Sequence, residues 1–332
     1  IERIAEGFSN SLNGTEDEIK DKLKPIFSLI ISQYFINTLT NSSSEQLSEE
    51  DKKQTETKLF ECYQELFHEK DKEKITSFKD IPLKELSDLQ DEYLKERFKK
   101  KGVRGGRKYE TFLKMACNLM PKSEGNKELT IKDLEEQKDI FKDLKFIRLE
   151  YDDDIKSKEK LFKKIGLEEN DFGANRKGGD FSIIYCTYQT IKHAFVMIID
   201  KTKEWDDAIK PKTESIYLID SSLSIETRKQ EPELYFSLKD RKDIFDSTQT
   251  LNKYDYQANG TCWINAMSAV GFLLERQQQS RKPYDLSINE LLKGFDKKRN
   301  NESGKIVEST TIPKKRSSFE QGICDYSTEH FY

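Results

Sequence analysis

The chain has 332 residues, and 57 basic against 61 acidic side chains leave a net charge of −4, which excludes a polycation gripping nucleic acid by overall charge. Charged residues make up 36% and apolar ones 35%, yet 20 Phe and 14 Tyr supply more aromatic mass than a coreless chain carries. No apolar stretch approaches the roughly 20 residues of a membrane span; the best, Ile26 to Ile36, is interrupted by Ser28, Ser32 and Gln33. At roughly 150 residues per domain the length suits about two domains. The first residues, IERIAEGF, lack the pattern of a secretory signal, and the five Cys form neither a disulfide framework nor a paired metal motif. A soluble, intracellular, globular protein is expected.

The first half reads as helices. Thr15 and Glu18 make a capping-box pattern, after which Ile19, Leu23, Phe27, Ile30 and Tyr34 recur at helical spacing. Pro25 is expected to kink or restart that helix, and the polar run Asn41 to Ser44 to form a loop. A second helix carries Leu59, Tyr63, Leu66 and Phe67 on one face. A third starts near Pro82 and ends in the basic run Arg97 to Lys108, which Gly102, Gly105 and Gly106 interrupt. A fourth spans Tyr109 to Met120 and stops at Pro121. A fifth is expected from Ile131 to Leu144, behind Thr130.

The period then changes. Phe146 to Leu149 is short and β-prone, and Phe181 to Cys186, Ala194 to Ile199 and Ser215 to Ile219 are compact apolar runs suited to buried strands. The polar stretch Lys201 to Glu214 between the last two predicts a hairpin loop. A helix follows from Cys262 to about Arg276. The expected organisation is a helical module over residues 1–145, a mixed α+β domain over 146–295, and a polar extension over 296–332.

With three His in the chain, the search for chemistry narrows quickly. His193 stands immediately before a strand, Asp220 closes the next one, and Gln257 and Cys262 lie in a Gly-containing loop that opens a helix. A cysteine at a helix N-terminus gains thiolate character from the dipole and the free N–H groups. A histidine at a strand edge can take the thiol proton, and a carboxylate at the end of a neighbouring strand can hold the imidazole tautomer. A glutamine shortly before the nucleophile can aim its amide at a developing oxyanion. Each element alone is more often structural, since a free Cys packs like a small hydrophobe and an Asp commonly starts a turn. Their joint order favours catalysis.

In the order His193, Asp220, Gln257, Cys262, the chain resembles the CE clan of cysteine proteases, which includes SUMO-specific proteases, adenovirus protease and bacterial effectors. The resemblance rests on His193 with Phe195 to Asp200, on Ile216 to Ser221, and on Gln257-Ala258-Asn259-Gly260-Thr261-Cys262. It covers about residues 145 to 280, and the helical first half lies outside it. Three departures stand out: Ala194 where the family has Trp, Trp263 where it has Gly, and a Gln-to-Cys interval of 262 − 257 = 5, one shorter than the family norm. The Cys-Trp pair also looks like the papain active-site helix. Papain order places the His after the Cys, however, and here only His330 follows.

The resemblance implies a papain-like core in permuted CE order, with Cys262 as nucleophile, His193 as base and then acid, Asp220 as orienting carboxylate and Gln257 as oxyanion donor. Ala194, Asn259, Gly260 and Trp263 would then line the substrate's approach, and no metal or organic cofactor is needed. It implies ubiquitin or ubiquitin-like conjugates as substrates. The Lys-, Asn- and Ile-rich composition resembles that of AT-rich intracellular bacteria, and for such a source the family resemblance implies an effector deubiquitinase acting in the host cytoplasm, its helical module binding part of the substrate or a host protein. Two alternatives stay open: a YopJ-type acetyltransferase using acetyl-coenzyme A, and an inactive protease-like interaction scaffold. Smaller signals read as structural: Arg97 to Lys108 as a helix end, Asp152 to Asp154 as a solvated turn, Gly178-Gly179 as a turn, His68 as a helix residue, and Cys117 and Cys186 as core.

Overall fold

In the computed structural model, which describes residues 14–40, 47–67, 75–101, 107–120, 128–149, 163–176, 179–188, 193–202, 216–221, 249–250 and 261–279, the chain divides into two units. The change comes between Lys142 and Asp143.

The first unit is helical. Helix α1 (Glu16–Leu39) starts at the capping box read from the sequence. The Thr15 hydroxyl accepts the Glu18 N–H at 3.4 Å and the Glu18 carboxylate accepts the Thr15 N–H at 2.9 Å. Pro25 does not restart this helix, which is one element from Glu16 to Leu39. The bond that Pro25 cannot donate belongs to the Asp21 carbonyl, and Asp21 is exposed, so water can satisfy it. Helices α2 (Glu49–Leu66), α3 (Leu83–Lys101), α4 (Tyr109–Leu119) and the short α5 (Ile131–Glu136) follow. Helix α1 packs against α2, α3 and α4. Gln90 of α3 is fully buried and ties three of these helices together. It donates to the Ser28 carbonyl at 3.4 Å, to the Tyr109 carbonyl at 3.2 Å and to the Ser32 hydroxyl.

The fifth predicted helix is corrected. Helix α5 ends at Glu136, a 3-10 turn covers Lys138–Phe141, and Leu144 already opens a strand. Phe141 and Leu144 are both fully buried. Their spacing suits a helix face as well as two successive elements, and pairing with a distant strand decides between them.

The second unit is built on a mixed sheet in the order β1 (Leu144–Leu149), β2 (Phe181–Tyr188), β3 (His193–Asp200), β4 (Ile216–Ile219), β5 (Gln249–Thr250). β5 adds only two residues to a four-stranded core. β1 runs parallel to β2 and β4 to β5, while β2–β3 and β3–β4 are antiparallel. The chain is thus α+β, with its helical region first.

Side chains alternate across this sheet. Ile147, Leu149, Ile184, Cys186, Phe195, Met197, Ile199 and Leu218 form one face, which packs with Ile165, Leu167 and Phe172. Phe146, Tyr185, Val196 and Ile219 follow the other register, with the Phe146 and Tyr185 rings 5.3 Å apart. Helix α6 (Cys262–Gln279) packs on β2 and β3. A sheet covered on both faces needs apolar residues at successive positions, which is why these strands read as continuous apolar runs. Gly179, at the start of β2, is required by close approach, since a Cβ there would lie 2.2 Å from Asp143 Oδ2. The expected loops at Asn41 to Ser44 and over 203–214, the polar extension over 296–332, Asp152 to Asp154 and His68 lie outside the described residues. Cys186 is fully buried and Cys117 half-buried.

Candidate active site

His193 begins β3 rather than preceding it, and Asp220 directly follows β4. In their antiparallel register Val196 faces Ile219. Extending the ladder by one pair puts Asp220 opposite Phe195, two residues from His193 and so on the same side of the sheet. Diagonal neighbours of that kind are within side-chain reach. His193 Nε2 indeed lies 2.8 and 2.9 Å from the two Asp220 carboxylate oxygens.

Cys262 arrives from a third stretch. Thr261 precedes α6, and its carbonyl accepts the N–H groups of Ile264 and Asn265, both at 3.0 Å, so the helix starts with Cys262 as its first residue. The packing of α6 on β3 brings that first turn to the start of the strand, where Cys262 lies near enough to the His193 ring to act on its charge. With Nε2 occupied by Asp220, Nδ1 is the ring nitrogen left for sulfur. The imidazole therefore stands between a carboxylate and a thiol.

The electrostatics follow from this placement. Burial alone would lower the His193 pKa, but the Asp220 carboxylate and the Cys262 sulfur more than offset it and raise the ring to about 10. At neutral pH the ring is an imidazolium, its Nε2–H donating to Asp220. The site is nearly closed to solvent: Cys262 is 5% exposed, and the His193 and Asp220 side chains are 14% and 8% exposed.

The structure thus gathers His193, Asp220 and Cys262, which lie 27 and 42 residues apart along the chain (220 − 193 and 262 − 220). Gln257, Asn259 and Gly260 lie outside the described residues. Of the residues expected to line the substrate's approach, Ala194 and Trp263 are described, and both are buried, at 3% and 1% exposure. Ala194 points into a sheet covered on both faces, and Trp263 belongs to the first turn that packs onto that sheet.

Sequence reading missed three polar side chains near Cys262. The Tyr185 hydroxyl of β2 donates to the Trp263 carbonyl at 3.4 Å, and the Asn265 amide donates to the Thr261 hydroxyl at 3.3 Å. A Thr–Asn pair four residues apart around a helix start was a legible signal for the second bond, whereas nothing local marks Tyr185 inside an apolar strand. Also missed was a buried charged cluster at the opposite end of the sheet. There Gln277 donates to Asp143 at 3.1 Å, Lys201 lies 3.7 Å from the other Asp143 oxygen, and Arg176 pairs with Asp180.

Among the described residues no group of His, Cys, Asp and Glu side chains is placed to hold a metal ion, and no helix is long and apolar enough to cross a membrane. No family model, curated protein or solved structure matches this chain.

Proposed function

We infer that the chain is a thiol-dependent hydrolase in which Cys262 is the nucleophile, His193 carries the proton and Asp220 orients the ring. The observation behind this reading is the setting of His193, which meets the Asp220 carboxylate at 2.8 Å and has Cys262 near enough to act on the same ring's charge. In the reaction the thiolate attacks a carbonyl carbon, and the C–N bond breaks as the imidazolium gives its proton to the leaving amine. The neutral imidazole then takes a proton from water as its oxygen attacks the thioester carbonyl, and the C–S bond breaks to release the acid and return the thiolate beside the imidazolium. Gln257 is the proposed oxyanion donor, with the Cys262 N–H as a second.

The chain order His193, Asp220, Cys262, and the strand, strand and helix that carry them, support a papain-like core in CE-clan order. On that resemblance the substrate is ubiquitin or a ubiquitin-like modifier joined to a target, and the protein acts as an effector deubiquitinase in a host cell. The test is incubation with ubiquitin and SUMO probes carrying a C-terminal electrophile, beside Cys262→Ala. A covalent adduct with one probe, lost in the variant, is the expected result. Folded protein that labels with neither probe overturns the modifier-protease reading. Acetyl transfer from acetyl-coenzyme A, stimulated by inositol hexakisphosphate, would then assign the same three residues to a transferase, and a Cys262 inert in both assays to a scaffold.

A further inference from the structure

The residues on either side of the nucleophile are both held by buried polar side chains that the proposed chemistry leaves without a task. On the N-terminal side, Thr261 is 8% exposed and its hydroxyl accepts from the Asn265 amide at 3.3 Å. An N-cap hydroxyl ordinarily accepts a backbone N–H of the first turn. Here the Thr261 carbonyl accepts the Ile264 and Asn265 N–H groups, both at 3.0 Å, and the hydroxyl also holds a side chain one turn along. On the C-terminal side, the Trp263 carbonyl accepts from the Tyr185 hydroxyl at 3.4 Å, and Tyr185 is fully buried. Tyr185 lies on β2 and pairs with Val196 of β3, the strand that His193 begins. One bond therefore fastens the first turn of α6 to itself, and the other fastens it to the sheet that carries the base.

We propose that Thr261 with Asn265, and Tyr185, are positioning residues that clamp the two neighbours of Cys262 and so hold its sulfur against the His193 ring. The inference rests on the hydrolase reading above. The physical need is plain. Helix ends fray because their first N–H groups lack intrahelical partners, and a nucleophile on the first residue of a helix frays with it. A thiolate survives at low pH only while the imidazolium stays in contact, so a small displacement of that turn costs reactivity without unfolding the protein.

The test measures the rate of iodoacetamide alkylation of Cys262 from pH 4.5 to 9 in the full chain. Peptide mapping separates Cys262 from the other cysteines, and circular dichroism verifies the fold. Tyr185→Phe and Thr261→Val each remove one bond at nearly constant shape, while Thr261→Ser keeps the hydroxyl. For the wild type the hydrolase reading expects a reactive limb below the pH of about 8.5 at which a free thiol ionises. Tyr185→Phe and Thr261→Val are expected to depress that limb about five-fold each, leaving the alkaline limb in place, and Thr261→Ser is expected to restore it. If Thr261→Val does not fold, Asn265→Ala breaks the same bond from its other partner.

Variants that melt earlier but keep the wild-type profile overturn the inference alone, because they show the bonds to be structural only. A wild-type profile with a single rise near the free-thiol value overturns the hydrolase reading, and the clamp falls with it.

Discussion

The two ends of the second unit's sheet both bury titratable side chains, and they do so with different chemistry. At one end, where β3 starts and β4 finishes, a carboxylate, an imidazole and a thiol meet in a row. At the other, where β1 and β2 start and β3 finishes, Asp143 and Asp180 meet Lys201 and Arg176, and Gln277 from the far end of α6 adds an amide. The backbone joins this second group as well, since Lys201 N–H donates to the Asp180 carbonyl at 2.7 Å and Gly173 N–H to the Lys201 carbonyl at 2.9 Å. Burying charge is costly in both places and is offset only by pairing. What separates them among the described residues is the thiol, which the proposed reaction makes the nucleophile. The far end pairs its ions with one another and with an amide, which fastens β1, β2, β3 and α6 together. The near end has a sulfur on a helix start and a proton carrier beside it.

The comparison breaks most sharply at the sulfur. Cys262→Ala is expected to abolish probe labelling and hydrolysis, a loss of at least about 10³-fold, with an unchanged thermal midpoint. Active protein after this change would remove the distinction between the two ends. Next in size is Asp220→Asn, which leaves His193 in place but no longer favours its cation. The expected fall in kcat is about 10²- to 10⁴-fold with KM little altered, read from progress curves on a fluorogenic conjugate.

At the far end the same kind of change should act on stability. Asp143→Ala leaves Lys201 buried without its carboxylate, and the expected loss is about 3–5 kcal/mol in urea unfolding. The folded fraction should keep wild-type alkylation of Cys262 at low pH. A large drop in that rate would make the far cluster part of the catalytic apparatus.

The smallest effect is a difference in pH slope. The His193 pKa is raised from 6.5 to about 10, so its contribution to stability is complete below pH 6.5 and fades as pH rises through about 10. The Lys201 pKa is lowered from 10.5, chiefly by burial, with Asp143 opposing. Its contribution is therefore lost as pH falls through the lowered value and complete only above 10.5. In urea melts between pH 6 and 10.5, the stability gap between wild type and His193→Gln should shrink with rising pH. The gap between wild type and Lys201→Met should move the opposite way.

Much of the local structure was legible because its causes are local. The Thr15 capping box, the α4 stop near Pro121 and the start of α6 at Cys262 depend on neighbours within four residues. The apolar strands β2 and β3 were legible because a sheet covered on both faces leaves few polar positions, Ser182 and Thr187 in β2 among them, to blur the run. The change from α5 to β1 was not, since Leu144 is committed to a strand by parallel pairing with Ile183, a residue 183 − 144 = 39 positions away. The far-end cluster was hidden for the same reason: Asp143 and Gln277 are separated by 134 residues.

The sequence by itself determined which chemistry was on offer: one histidine at a strand start, one aspartate at a strand end, and one cysteine at a helix start. Each assignment follows from short-range periodicity and capping, which act within a few residues of the group concerned. Only the tertiary structure decided that these three share a single site, through the β3–β4 register and the seating of α6 on the sheet. It alone decided, too, that Trp263 turns into the core and that Tyr185 reaches the turn beside the sulfur. Those outcomes depend on packing between segments far apart in the chain, where the gain from burying apolar surface and satisfying buried polar groups is settled by the whole unit at once.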